Sequence, residues 1–315
     1  MTASTALVFP GQGAQHVGMG VDVAEAWPAA RQVFDLASDV LGLDLLAVCR
    51  DGPADELVRT DLQQPAILAV GAAVTEALRS TGALRDEELV CTLGLSLGEF
   101  TALWAAGALD LADALRLVRE RGLGMQEASE AVPSGMLALR AEVPAAEALC
   151  AAAREATGGV LVVANLNAPG QVVISGDLTT IEAAEQVAGE HGIRRPTRLP
   201  VAGAFHSPLM QPGADRLARV LEGVEVRTPR VPVISNVTAA PTADPAAIRQ
   251  QLIDQVTHPV RFVECVESAV KAGVTRIVEP APGRVLGSLV RRIAPEVEVV
   301  GAPDADGVRA AGGMA

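Results

Sequence analysis

With 315 residues, half of them hydrophobic and none of them tyrosine, the chain can bury a sizeable core made of Ala, Val, Leu and Ile rather than of rings. A formal net charge of −13 argues against a nucleic-acid partner, because phosphate backbones bind basic faces. The four cysteines (Cys49, Cys91, Cys150, Cys265) are widely spaced, so neither a zinc site nor a disulfide framework follows and reduced thiols are expected.

The first residues, MTASTALVFPGQG, lack the basic and apolar regions of a signal peptide. The most apolar stretch, 66–74, is broken by Thr75 and Glu76 and falls short of the roughly 20 residues of a membrane span. A cytoplasmic protein with no membrane partner is the expectation.

In chain order, 5–9 (TALVF) predicts a short buried strand stopped by Pro10 and Gly11. Helical patterns follow over 20–41 and 66–81. A second buried strand, 88–94 (ELVCTLG), precedes helices over 98–108 and 110–130. The middle then changes character: from 135 to 201 the order is strand, helix, strand, strand, helix, strand, a ferredoxin-like βαββαβ pattern with a tight connection at Asn167-Ala-Pro-Gly170. Beyond it come a strand at 231–237 (VPVISNV), a helical stretch through 272, and a strand at 275–280. A helix at 284–293 and a strand at 297–301 precede a tail, from about Ala305, that reads as frayed. The alternation predicts an α/β fold whose mainly parallel sheet carries helices on its faces, with 131–201 inserted as a small domain into a larger one made of 1–130 and 202–315. A cleft between two such domains is a usual ligand site.

The sharpest chemical signal is Gly94-Leu95-Ser96-Leu97-Gly98, which follows a buried strand and opens a helix. That context suits a nucleophile elbow: the turn lifts the Ser96 hydroxyl clear of the backbone, and the flanking glycines remove side chains that would clash. The Leu97 N–H, at the helix N-terminus, can face a developing oxyanion. An ordinary N-cap serine is the alternative.

A serine nucleophile needs a base. His16 lies in a Gly-rich loop, His191 at a polar helix end and His258 in a helix-terminating THPV; histidines in such places are most often surface or structural. His206, in Ala204-Phe-His-Ser-Pro-Leu-Met210, alone lies at the predicted domain junction. No acid stands out as a third member. The loop Phe9-Pro-Gly-Gln-Gly-Ala-Gln15 lacks the third glycine of a dinucleotide fingerprint, and the chain has no GK[ST]. Gly11 and Gly13 around Gln12 suit either a backbone amide brought near a reacting atom or a plain tight turn. Arg121 precedes Gly122 and Gly124 in a helix where each glycine costs roughly 1 kcal/mol, which implies close approach of backbone or ligand.

Together these segments resemble the malonyl-CoA:acyl carrier protein transacylases and the related acyltransferase domains of polyketide synthases. The matching stretches are FPGQGAQ (9–15), GLSLGEF (94–100), RGLGMQEA (121–128), NLNAPGQVVISG (165–176), LPVAGAFHSPLM (199–210), SNV (235–237), VTHPVRF (256–262) and EPAPGRVL (279–286), in the family's order and over nearly the whole chain. The resemblance implies an α/β-hydrolase-like large domain, Ser96 as nucleophile and His206 as general base. It implies the amides of Gln12 and Leu97 as oxyanion hole, Arg121 on the malonyl carboxylate, and a main-chain carbonyl at Gln255 that steers the histidine. Leu95, Met125, Asn167 and Phe205 fall at positions lining the acyl and coenzyme A pocket. Leu95 replaces the family's usual histidine, which leaves extender-unit choice open, although Gly203-Ala-Phe-His206 resembles the HAFH pattern associated with malonyl rather than the YASH pattern associated with methylmalonyl.

The implied reaction moves malonyl from coenzyme A to a carrier protein's phosphopantetheine thiol by way of Ser96, in fatty acid or polyketide synthesis. It needs neither a metal nor a redox cofactor, and a monomer suffices. An acyl hydrolase on the same fold would gain nothing from Arg121. An α/β-hydrolase esterase would lack its acid, and a dead docking module would not retain both reactive residues.

Overall fold

The protein is described by a computed structural model covering residues 4–280 and 282–313; residues 1–3, 281, 314 and 315, which belong to the first, EPAPGRVL and tail segments quoted above, lie outside it. Among the described residues ten strands make two sheets. The larger is built from β1 (Thr5–Phe9), β2 (Leu89–Gly94), β7 (Val233–Ile234), β8 (Pro241–Thr242), β9 (Arg276–Pro280) and β10 (Glu298–Ala302), in the order β10-β9-β1-β2-β7-β8. All its pairings are parallel except β7 with β8. The smaller is antiparallel and contains β3 (Ser134–Leu139), β4 (Leu161–Ala168), β5 (Gln171–Asp177) and β6 (Thr197–Arg198), in the order β4-β5-β3-β6. This is the mixed architecture expected.

Fourteen α-helices accompany these strands among the described residues. Between β1 and β2 run α1 (Val21–Ala26), α2 (Pro28–Leu41), α3 (Leu45–Asp51), α4 (Ala54–Leu57) and α5 (Thr60–Ser80). After β2 come α6 (Gly98–Ala105) and α7 (Leu111–Ala131); α8 (Val143–Thr157) and α9 (Leu178–Val187) accompany the small sheet. The rest are α10 (Gln211–Leu221), α11 (Pro245–Gln255), α12 (Phe262–Lys271), α13 (Val285–Ile293) and α14 (Ala305–Ala311).

Several expected elements are corrected. The helix expected over 20–41 breaks at Trp27, whose extended backbone lets Pro28 start a new helix. The helical stretch expected through 272 divides into α11 and α12 around Pro259, a residue whose ring disfavours helix at the position before it. VPVISNV pairs only through Val233 and Ile234. Over Ala305–Ala311 the tail is a helix, not a frayed end: the Asp304 side chain caps Gly307 N at 2.8 Å, Ala305 N reaches Asp22 Oδ2 at 2.7 Å, and Val308 is buried.

The small sheet has its own apolar cluster, including Leu137, Leu149, Ile174 and Ile181. Its edge strand β4 meets the rest of the chain through paired backbone bonds, Leu166 N to Val260 O at 2.9 Å and Val260 N to Ala164 O at 2.8 Å. The two glycines of α7 answer to backbone. A Cβ on Gly122 would lie 2.4 Å from the Thr60 carbonyl oxygen at the start of α5, and one on Gly124 would lie 2.8 Å from Gly213 Cα in α10. All four cysteines are buried and free. No described helix is long and apolar enough to cross a membrane.

Candidate active site

Because β1 and β2 are parallel neighbours with Phe9 opposite Gly94, the loop after β1 and the turn after β2 leave the sheet side by side at its carboxyl edge. Leu95 N donates to Phe9 O at 2.9 Å, which ties the two turns together. Ser96 sits between strand and helix at φ +54°, a left-handed conformation that a non-glycine residue adopts at a cost. Close packing enforces it. A Cβ on Gly94 would lie 2.0 Å from the Gly98 carbonyl carbon, and one on Gly98 would lie 2.0 Å from Phe9 O. Asn236 clamps the turn from the far side, accepting from Ser96 N through Oδ1 at 2.7 Å and donating through Nδ2 to Gly94 O at 2.7 Å.

His206 also has positive φ, at +60°, and its Nε2 lies 2.8 Å from Ser96 Oγ. Its Nδ1 lies 2.8 Å from the main-chain oxygen of Gln255. A carbonyl oxygen only accepts, so Nδ1 carries the proton and Nε2 presents its lone pair to the serine. Burial, and next the nearby Arg121 charge, push the imidazole down to about 4, so it is neutral at physiological pH. A third acid is absent from this relay, as the carbonyl takes its orienting place.

Arg121 is fully buried on α7. Its Nη2 donates to Ser96 Oγ at 2.9 Å and to Gln255 Oε1 at 3.1 Å, and its Nη1 donates to Gln64 Oε1 at 2.8 Å. The Phe100 ring lies 5.6 Å from the guanidinium carbon. Burial lowers the arginine to about 10, with Glu99 acting to raise it, so it stays charged at neutral pH. Among the described residues no carboxylate makes a salt bridge with it, and Nε is buried without a hydrogen-bond partner. The Glu99 carboxyl, itself pushed up to about 7 by burial, is bridged to Arg121 by the Gln255 side chain.

Of the remaining expected site residues, Leu97 is buried at the start of α6, and the Gln12 side chain donates to Gln63. Among the described residues, neither the Gln12 nor the Leu97 amide is taken up by a turn, loop or cap hydrogen bond. Met125 is buried one turn beyond Arg121, with its sulfur 3.6 Å from Gln64 Nε2. Leu95 is half-buried, and the half-buried Asn167 keeps an enclosed Oδ1 with no hydrogen-bond partner. Two cavities flank the site. One, of about 540 Å³, runs from His206 along α8 and β4, past Ala151, Val162 and Val163 to Thr257 and Pro259. The other, of about 460 Å³, is lined by Gln12, Gln63 and Leu199 and includes Phe205. Leu95, Met125 and Asn167 line neither.

Three site residues escaped the sequence. Glu99 and Asn236 stand inside the matched segments GLSLGEF and SNV, where a signal for them existed. Gln64 had none, because a glutamine on a helix reads as surface.

The arrangement, a hydroxyl between a neutral imidazole and a guanidinium, suits transfer of an anionic acyl group through a serine ester. Comparisons with known proteins point to acyl transfer. The family model described as acyl transferase domain matches residues 6–306. The malonyl CoA-acyl carrier protein transacylase of Bacillus subtilis is 41% identical over 309 residues, covering 97% of this chain and 95% of that protein. Its namesake in Escherichia coli K12 is 41% identical over 290 residues, covering 91% and 92%. Among solved structures, the malonyl CoA-acyl carrier protein transacylase of Coxiella burnetii superposes with a TM-score of 0.94 at 35% identity, covering 100% of this chain and 98% of that one. A malonyl-transacylase solved in complex with its type II polyketide acyl-carrier protein gives 0.92 at 38% identity, covering 98% and 99%. Matched from strand β1 to helix α14, the chain belongs to the acyl transferase domain family.

Proposed function

We propose that this acyltransferase moves malonyl from malonyl-CoA to the phosphopantetheine thiol of an acyl carrier protein, in fatty acid or polyketide synthesis, with Ser96 as the covalent way-station. The observation that carries the reading is Arg121: a buried cation 2.9 Å from the nucleophile, with no salt-bridged carboxylate among the described residues. Malonyl differs from acetyl by one carboxylate, and that group is the anion the guanidinium would pair with. A planar guanidinium can hold it through two parallel hydrogen bonds, which a lysine cannot reproduce.

Ser96 Oγ attacks the thioester carbonyl while its proton passes to His206 Nε2. The oxygen of the tetrahedral intermediate is taken by the amides of Gln12 and Leu97. Collapse breaks the carbon–sulfur bond, the proton returns from His206 to the coenzyme A sulfur, and malonyl remains as an ester on Ser96. The carrier thiol then reverses each step. When the malonyl carboxylate offsets the Arg121 charge, it also removes one of the two influences that depress His206, so substrate binding makes the base stronger. Phe205, in the wall of the cavity beside Gln12, borders the acyl and pantetheine path, whereas Leu95, Met125 and Asn167 line neither cavity. The enzyme works as a cytoplasmic monomer without a metal or redox cofactor and without nucleic-acid or membrane contacts.

The test is to mix the protein with equimolar malonyl-CoA and acetyl-CoA, read the covalent adduct by intact mass, then add holo-carrier protein. A malonyl adduct that moves to the carrier is expected. Release of free malonate in the presence of the carrier would make the protein a hydrolase instead.

A further inference from the structure

Glu99 is fully enclosed, one turn into the helix that Ser96 precedes, and no step of the reaction uses it. Its Oε2 accepts from Gln255 Nε2 at 2.6 Å and from Asn236 N at 3.1 Å. The Gln255 amide has two chemically different ends. Its NH2 faces two acceptors, Glu99 Oε2 and, at 3.0 Å, Ser96 O; its oxygen therefore faces Arg121 Nη2 at 3.1 Å. Reversing the amide would set NH2 against a guanidinium N–H, donor against donor, and withdraw a partner from a buried cation. The shorter of the two bonds that prevent reversal comes from Glu99.

We propose that Glu99 is a positioning residue for malonyl selectivity: by holding the Gln255 amide in one orientation, it fixes the Arg121 guanidinium beside Ser96 Oγ. Through Asn236, whose side chain clamps the backbone of Ser96 and Gly94, the same carboxyl also braces the elbow. Glu99 hydrogen-bonds to neither Ser96 Oγ nor Arg121, so its hold on the position of the guanidinium runs through Gln255, alongside the direct charge attraction that raises Arg121. This inference rests on the carboxylate role proposed for Arg121.

The test compares malonyl-CoA with acetyl-CoA as donors to holo-carrier protein in wild type, Glu99→Met, Glu99→Gln, Gln255→Met and the Glu99→Met/Gln255→Met double variant. The quantity read is the malonyl-to-acetyl ratio of kcat/KM, which does not depend on the folded fraction of a sample. Glu99→Met, nearly equal in size but with only a weak thioether acceptor, is expected to lower the ratio about tenfold. Gln255→Met keeps the main-chain oxygen that orients His206 and should lower the ratio by a similar factor. The double variant should fall no further than Gln255→Met alone, because both changes break one chain of contacts. Glu99→Gln, whose amide oxygen can still accept, should recover most of the ratio. A merely structural Glu99 would depress both donors and leave the ratio alone. An unchanged ratio in Glu99→Met, or effects that multiply in the double variant, would overturn the proposal. Should the Glu99 variants not fold, an unchanged ratio in Gln255→Met overturns it equally. Wild type that shows no preference for malonyl would instead fell the carboxylate role of Arg121, and this inference with it.

Discussion

Around the six-stranded sheet the polar groups of the site are buried and bound to one another, whereas the four-stranded sheet packs an apolar cluster under α8 and α9. It lends the site walls and, through Ser134 Oγ, which accepts from Ala204 N at 3.1 Å, a tether for the segment before His206. Ser96, Leu97, Glu99, Arg121, Asn236 and Gln255 all come from segments that follow or flank the large sheet's strands, and all are buried there. The small sheet supplies Val162 and Val163, and α8 supplies Ala151, to the cavity that His206 opens into. His206 stands where the chain returns from β6, so the base belongs to the seam. The contrast teaches a division of labour. Chemistry that tolerates errors of only tenths of an ångström is anchored in the larger, doubly covered sheet. The path taken by the long thioester arm is shaped by α8 and β4 of the smaller sheet.

That division can be broken by experiment. The largest effect expected is from Ser96→Ala, which should abolish covalent loading; a malonyl adduct on the alanine variant in intact mass would place the nucleophile elsewhere. His206→Ala comes next, slowing single-turnover acylation by about 10²–10⁴-fold, the usual share of a positioned base. With His206 present, the acid limb of kcat/KM should lie near pH 4, because burial favours the neutral ring and protonation destroys the base. A limb at the ordinary histidine value of 6.5, or near-normal loading by the alanine variant, would point to one of the exposed histidines. The smallest effect sharpens the comparison from the other side. Ala151→Trp, on the exposed face of α8, narrows the cavity and should raise KM for malonyl-CoA several-fold while kcat stays near wild type. A matching fall in kcat would mean that the small sheet reaches into the chemistry after all.

What could be read from the sequence follows the same line. β1, the Ser96 turn and the βαββαβ order are local patterns, set by glycine spacing, apolar runs and period, and they appear where expected. Arg121 was flagged by glycines that the structure explains as backbone contacts with Thr60 and Gly213, so the right residue carried a signal of helix packing rather than of ligand approach. The family resemblance contributed the pairing of Ser96 with His206, which lie 110 residues apart. The network behind them was not legible. Glu99 meets Gln255 across 156 positions and Asn236 meets Ser96 across 140, and no periodicity encodes such contacts. The breaks at Pro28 and Pro259 and the Asp304 cap were present as local signals that the expected helices over 20–41 and through 272 and the frayed tail did not use.

The most direct test of the account is the pair of donor specificities, kcat/KM for malonyl-CoA and for acetyl-CoA, measured in wild type and Arg121→Ala. A buried charge-assisted contact is worth on the order of 1.5–3 kcal/mol, or roughly 10–150-fold. The account predicts that Arg121→Ala loses about that much malonyl activity while acetyl transfer is maintained or improved, since acetyl has no carboxylate to lose. An equal fall for both donors would contradict it and leave Arg121 as a structural residue.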